Sequence, residues 1–220
     1  EIELLMLSDL PALTTLSTNN CTSLQSLSIM NTGLTMYSVI GSSALTTLNV
    51  YNNTSLSSFT LTGATSLTDV KLSAGSENYA LTDLELTDCG ITSLDVSYMK
   101  GLETLNITNS VDITSLDVSN TQISTLDISD LTKLKILRAS NCINLSSIGF
   151  IDNTTITDLD LSRNTAITSL DITNCTSLAS LNASGCTGLA TFTTGENTAL
   201  TDLNLSGCTS ITELDVSTCT

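Results

Sequence analysis

The sequence predicts a repeat solenoid that is mainly β, with short parallel strands and no α-helices of note. Three observations predict it. Apolar residues return at steps of 10 or 11 along nearly all of the 220 residues. Within each repeat the middle apolar residues alternate with polar ones, which is the pattern of a half-buried strand. The residues between them are mostly Ser, Thr, Asp and Asn, which are poor helix formers.

The repeating unit is clearest in the second half of the chain. There, ITDLDLSRN ends at Asn164, ITSLDITNC ends at Cys175, and LASLNASGC ends at Cys186. The three share the pattern L-x-x-L-x-L-x-x-(N/C), whose residues are called positions 1 to 9, and they begin 11 residues apart. One longer step of 14 residues runs from Leu67 to Leu81.

Strands this short cannot bury an apolar face alone, so successive units must coil and stack with strands about 4.8 Å apart. We expect two half-units per coil, and therefore about ten coils in a single domain over residues 1–220, with an insertion in the loop at 73–80. Both halves carry nearly the same motif, which predicts extended chain on both sides of the coil and gentle curvature. The chain opens and stops inside a repeat, and we expect it to be a fragment of a longer protein.

The pattern resembles the leucine-rich repeat, and in particular the short bacterial 21–22-residue type of internalins and Bacteroidetes surface proteins, over essentially the whole chain. The run from Ile113 to Ile123 is especially similar to the latter. The resemblance implies a right-handed, weakly curved coil and a non-enzymatic binding or adhesion module at the cell surface or secreted. It also implies that position 9 points inward and hydrogen-bonds the backbone of the neighbouring coil.

Position 9 therefore predicts a structural ladder that includes all seven cysteines. Its members are Cys21, Cys89, Cys142, Asn153, Asn164, Cys175, Cys186, Asn197, Cys208 and Cys219, with Asn53 at the same position. No C-x-x-C occurs, the cysteine count is odd, and thiols in a column do not converge on a metal, so no metal site is predicted. A Cys186–Cys208 disulfide would be strained by parallel Cβ vectors.

Composition excludes several functions. Six Lys and Arg residues against 22 Asp and Glu residues give a net charge of −16, which opposes binding to nucleic acid or anionic lipid. The chain has no His, which removes histidine bases and the usual nucleophilic triads. We expect no cofactor and no membrane insertion, and a mean hydropathy of +0.27 is typical of a folded chain rather than a disordered one.

Paired acidic residues give the one enzymatic alternative, a carbohydrate-active enzyme. Positions 3 and 5 point to solvent together, and they form the pairs Asp158/Asp160, Asp83/Glu85 and Glu213/Asp215. Two nearby carboxylates are the catalytic apparatus of glycoside hydrolases. An open sheet offers no pocket to raise one pKa, however, so we expect a solvated face, with weak Ca²⁺ binding on acidic rungs as a further alternative.

Two surfaces are candidates for binding a protein or glycan partner. Outward aromatic and Met residues are rare here, and two half-units per coil place four such residues on one edge: Met30, Tyr51, Tyr79 and Tyr98. The alternative face is a position-5 column in which Arg138 relieves charge among carboxylates: Asp95, Asp117, Arg138, Asp160, Asn182 and Asn204. Inward aromatics are assigned to the core: Tyr37, Phe59, Phe150 and Phe192. A structural spacer or stalk, in which no surface patch matters, is the remaining alternative.

Overall fold

The computed structural model describes residues 1–72, 80–97, 99–149, 153–173, 175–195, 197–217 and 219. These residues form strands and turns, with no helix among them. The described residues therefore include no helix that could cross a bilayer. The chain divides into two compact units, Glu1–Ile113 and Thr114–Thr220. Each unit is a β-solenoid of parallel strands, which confirms the predicted fold class.

The first unit contains nine strands in its described part. They are β1 (Leu4–Leu10), β2 (Ser26–Thr32), β3 (Met36–Ile40), β4 (Thr47–Tyr51), β5 (Ser58–Thr62), β6 (Asp69–Lys71), β7 (Asp83–Thr87), β8 (Ser93–Asp95) and β9 (Thr104–Asn106). Strands β1, β2, β4 and β6 neighbour one another in sheet A, and β3, β5, β7 and β9 in sheet B. From β2 to β7 the chain alternates between the two sheets, so both half-units are extended there, as predicted.

The second unit also contains nine strands in its described part. They are β10 (Ser115–Asp117), β11 (Thr125–Asp127), β12 (Ile136–Arg138), β13 (Ser147–Gly149), β14 (Asp158–Asp160), β15 (Ser169–Asp171), β16 (Ser180–Asn182), β17 (Thr191–Thr193) and β18 (Asp202–Asn204). Strands β10, β12, β14, β16 and β18 form sheet C in that order. On the other side of the coil, β11 pairs with β13 and β15 pairs with β17.

Each pair of neighbouring strands lies two half-units apart in the chain. Leu159 on β14 pairs with Leu181 on β16, 22 residues later. In sheet B, Phe59 pairs with Leu84 at a separation of 25 residues, so the longer step keeps two half-units per coil. The insertion itself, predicted at 73–80, falls largely on residues 73–79, which lie outside the described residues. The predicted single domain of about ten coils stays a prediction.

The core consists of the residues at positions 1, 4 and 6. Leu116, Leu137, Leu159 and Leu181 at position 4 are all buried. Tyr37, Phe59 and Phe192 are buried as expected, and the rings of Tyr37 and Phe59 lie 5.9 Å apart. Phe150 lies outside the described residues. Truncating one such leucine, for example by Leu159→Ala, should cost about 2–5 kcal/mol because the rigid stack leaves a cavity.

Position 8 turns the corner between half-units, and most of the described residues at this position have a left-handed conformation. Asn120, Asn141 and Gly185 have φ values of 57° to 74°, and their N–H groups donate to carbonyls of the next coil at 2.7–2.8 Å. Glycine has no Cβ to clash there, and Asn tolerates the conformation better than most residues. This requirement explains why Asn, Gly and Asp are frequent at position 8.

Candidate functional site

The position-9 side chains lie at the turns and connect neighbouring coils. In the first unit, Asn53 Nδ2 donates to the carbonyl of Ile29 at 3.0 Å, and its Oδ1 accepts from the N–H of Thr32 at 3.0 Å. In the second unit, the thiols of Cys186 and Cys208 donate to the carbonyls of Leu161 and Ala183, both at 3.1 Å. Thiol and amide therefore serve the same purpose, which is to satisfy buried backbone carbonyls.

Burial differs along the predicted ladder. Cys89, Cys142, Asn153, Asn164, Cys175, Cys186 and Asn197 are buried, whereas Cys21, Cys208 and Cys219 are half-buried. All seven thiols are free, including Cys186 and Cys208. Burial raises the pKa of Cys89, Cys175 and Cys186 to about 11, and it also raises the pKa of Cys142. These thiols stay protonated near neutral pH and are poor nucleophiles.

Position-5 side chains have a local structural role that the sequence analysis missed. Asp160 Oδ1 accepts the N–H of Ser162 at 2.9 Å, and Asn204 Oδ1 accepts the N–H of Ser206 at 3.1 Å. The same bond occurs at Asp95, Asp117, Asp127, Asp171, Asn182 and Asp215. Each is an Asx turn, and each except that of Asp215 lies at the end of a strand. The recurring Leu-Asp/Asn-x-Ser/Thr sequence was the available signal.

The alternative binding face forms a row in the second unit. Asp117, Arg138, Asp160, Asn182 and Asn204 are direct partners on successive strands of sheet C. Asp95 lies on β8 in the first unit. Arg138 is exposed, and no ion pair joins it to Asp117 or Asp160 among the described residues. The charge relief predicted for Arg138 is therefore not made through a direct ion pair.

The predicted edge of Met30 and tyrosines is described only in part. Met30 and Tyr51 are direct partners on β2 and β4, and both are half-buried on the outer side of sheet A. Met6 on β1 is 63% exposed. Its direct partner on β2 is Ser28, so Met6 lies diagonally opposite Met30. Tyr79 and Tyr98 lie outside the described residues. We call Met6, Met30 and Tyr51 the apolar patch.

The acidic pairs Asp83/Glu85 and Asp158/Asp160 lie on the open sheet strands β7 and β14, whereas Glu213/Asp215 lies outside the strands. Asp83 accepts hydrogen bonds from the hydroxyls of Thr82 and Thr104, which hold the pKa of its carboxyl below its ordinary value. Asp158 accepts from the Thr157 hydroxyl at 2.7 Å. The general acid of a glycosidase needs a raised pKa, whereas the hydrogen bonds to Asp83 lower the pKa of its carboxyl. In the described part of the chain, no three His, Cys, Asp or Glu side chains group to hold a metal ion.

Comparison with known proteins gives structural neighbours only. No protein-family model matches the chain, and no curated protein matches its sequence. The functional domain of InlJ from Listeria monocytogenes, described as including a cysteine ladder, is 25% identical with a TM-score of 0.39, over 90% of this chain and 52% of that chain. The chain thus spans about half the length of that domain.

Two further solved structures are also similar. The leucine-rich repeat domain of the type III effector XopL is 19% identical with a TM-score of 0.38, over 87% of this chain and 71% of that chain. An internalin, InlF, from Listeria monocytogenes is 16% identical with a TM-score of 0.21, over 88% of this chain and 80% of that chain. All three TM-scores are below 0.5, and the solenoid assignment rests on the strand register of this chain.

Proposed function

We propose that the chain is a non-enzymatic binding module that holds a partner protein on the apolar patch of Met6, Met30 and Tyr51. The observation that carries the proposal is the register of sheet A, which sets Met30 beside Tyr51 on the outer side of adjacent strands. Ser, Thr and Asn are the usual outward residues of the repeat. Clustered Met and Tyr side chains on a rigid sheet are typical of protein interfaces.

The cellular setting belongs to the same proposal. The repeat resembles that of bacterial surface proteins, and we place the module at the cell surface or in the secreted fraction. Its free thiols are compatible with that setting, because burial and a raised pKa protect most of them from oxidation. A spacer with no binding surface and an enzyme that uses an acidic pair are the competing functions.

The test is a panel of extracellular proteins and glycans probed with the parent chain and with a Met30→Ser, Tyr51→Ser variant. A matched control changes Ser169→Ala and Thr191→Ala, which are paired, exposed residues of the second unit. We expect the panel to contain a protein whose affinity for the parent and for the control is at least about tenfold higher than its affinity for the patch variant. This is the loss expected when one aromatic and one thioether contact are removed. The melting temperature of the patch variant should stay close to that of the parent.

Other outcomes contradict the proposal. A ligand bound equally by the patch variant places the site elsewhere, and the row from Asp117 to Asn204 is then the surface to test. If that ligand is a glycan, its hydroxyl groups would be matched by the amide and carboxylate groups of the row. Absence of any ligand favours the spacer, and hydrolysis of a glycan on the panel favours the enzyme.

A further inference from the structure

The outer side of sheet B carries a shallow trough, which contains the acidic pair Asp83/Glu85 but is separate from the apolar patch and from the row of Asp117 to Asn204. Two depressions of about 200 and 360 Å³ lie on this side of the first unit. Both are lined by Ser58 and Thr60 on β5, so they adjoin at this strand. The trough runs across the strands, from β3 to β9.

The two ends of the trough differ in chemistry. At one end, Met36 on β3 is 70% exposed and Leu16 is half-buried. At the other end are Asp83 and Glu85 on β7, with Thr104 and Asn106 on β9. Between the ends lie Ser58 and Thr60 on β5. A ligand lying along the trough therefore meets an apolar surface, then hydroxyl groups, then two carboxylates.

The carboxylates are oriented but not neutralised. Glu85 accepts from Thr60 Oγ1 at 3.5 Å and from Asn106 Nδ2 at 3.3 Å, one donor on each neighbouring strand. Asp83 is held by Thr82 and Thr104. Within the described residues, neither carboxylate makes an ion pair, since the ion pair found there joins Lys71 to Asp69 on sheet A. The acidic end is therefore complementary to a cation.

The strand spacing defines the length of the ligand. Met36, Ser58 and Asp83 are successive partners in one row. Neighbouring strands lie about 4.8 Å apart, so Met36 and Asp83 are separated by roughly 10 Å. A polyproline II segment advances about 3.1 Å per residue with three residues per turn, so its residues i and i+3 share a face and lie about 9 Å apart.

We propose that this trough binds an extended cationic segment of a partner protein, with an apolar side chain on Met36 and an Arg or Lys three residues away on Asp83 and Glu85. Ser58 lies between Met36 and Asp83 in the row, so its hydroxyl faces the middle of the segment, and it makes no hydrogen bond among the described residues. The backbone of a polyproline II segment has no internal hydrogen bonds, so its carbonyls are free to accept from this hydroxyl. The site is independent of the apolar patch, which lies on sheet A.

The probe is the labelled peptide Pro-Pro-Leu-Pro-Pro-Arg-Pro-Pro, measured by fluorescence anisotropy. One control peptide replaces Arg with Glu, and a second has the same composition with Leu and Arg adjacent. We expect the first peptide to bind the parent chain more tightly than either control. Asp83→Asn with Glu85→Gln should weaken it about tenfold, the size expected for two exposed charge contacts, and added salt should weaken it as well.

Two further variants keep the test decisive. Asp158→Asn with Asp160→Asn removes the same charge from sheet C and should leave peptide affinity unchanged. Met36→Ser should weaken binding without altering charge, and it tests the trough even if the acidic variant folds poorly. Equal binding of the Arg and Glu peptides, undiminished binding to the Asp83→Asn, Glu85→Gln variant, or no binding to the parent overturns the proposal. The Met30→Ser, Tyr51→Ser variant should bind the peptide normally, so failure of the patch and failure of the trough are distinguishable.

Discussion

The backbone N–H of Cys142 donates a hydrogen bond of 2.8 Å to Oδ1 of Asn164, one coil further along the second unit. The amide nitrogen of Asn164 in turn donates to the carbonyl of Ala139 at 2.8 Å and to that of Leu161 at 2.9 Å. A single buried side chain thus satisfies three backbone groups on two coils. Asn197 occupies the same repeat position, but its Nδ2 donates to the carbonyl of Cys175 and its Oδ1 has no partner in the described structure.

This difference predicts unequal costs for the same substitution. Asn164→Ala should lower the free energy of unfolding by about 2–5 kcal/mol, because it leaves buried backbone groups without partners. Asn197→Ala should cost only about 1–2 kcal/mol, since one donor bond is lost and no accepting bond. Urea denaturation followed by circular dichroism measures both. Equal costs would show that the additional bonds of Asn164, to the Cys142 N–H and the Leu161 carbonyl, contribute nothing.

The core and the ladder were accessible from the sequence, whereas the Asx turns and the trough were not. Leucines at a constant spacing place Leu159 and Leu181 inside, because any other register would expose them. The inward role of Asn164 and Cys186 followed from the resemblance to leucine-rich repeats. The Asx turns at Asp160 and its equivalents were missed because the Asp side chains were interpreted only as surface charge.

The trough could not be predicted for a different reason. Met36 and Asp83 are far apart in the sequence and become members of one row only when strands β3, β5 and β7 pair. Their row depends on the register across the longer step between Leu67 and Leu81, which the sequence alone left open. Counting two half-units per coil gave the row from Asp117 to Asn204, but a row that spans the longer step also needs the observed strand register.

Arg163 is the exception at the left-handed corner. Its φ is 64°, although its neighbours in the column are Asn141 and Gly185. A side chain with a bulky Cβ substituent costs roughly 1–2 kcal/mol in this conformation, and Asn less. Arg163→Asn should therefore raise the free energy of unfolding by about 0.5–1 kcal/mol. Arg163→Ala removes the same charge and keeps the Cβ penalty, so it should give little gain; equal effects of Asn and Ala would refute the conformational explanation.

The Asx turn at Asp160 predicts that the amide replaces the carboxylate but alanine does not. Asp160→Ala removes the acceptor of the Ser162 N–H and should cost about 0.5–1.5 kcal/mol, the usual worth of one such bond. Asp160→Asn keeps an Oδ1 acceptor and should be nearly neutral, with a slight gain at low salt from reduced repulsion. Chemical denaturation of the two variants measures the difference. If Asp160→Asn loses as much stability as Asp160→Ala, the charge of Asp160 matters and the Asx turn does not.

The buried thiols predict a loss of stability at alkaline pH. Burial raises the pKa of Cys89, Cys175 and Cys186 from 9.0 to about 11 in the folded chain. Between these values the unfolded chain ionises its thiols while the folded chain keeps them protonated, so unfolding releases protons and is favoured as pH rises. The stability that the protonated, buried thiols contribute to the folded chain is complete below pH 9 and is lost as the pH approaches 11. Tyr37, whose pKa burial raises from 10.0 to about 12, adds a loss only above pH 10.

Measuring the urea midpoint between about pH 8 and pH 10 therefore isolates the thiols. We expect the midpoint to fall across this range in the parent, and to fall less in a Cys89→Ala, Cys175→Ala, Cys186→Ala variant, whatever the overall stability of that variant. In the native parent, a thiol reagent at pH 8 should react first with the half-buried Cys21, Cys208 and Cys219, and with the others only after denaturant is added. A midpoint that changes identically in both proteins, or rapid native reaction of all seven thiols, would show that the position-9 cysteines are not shielded by the stack.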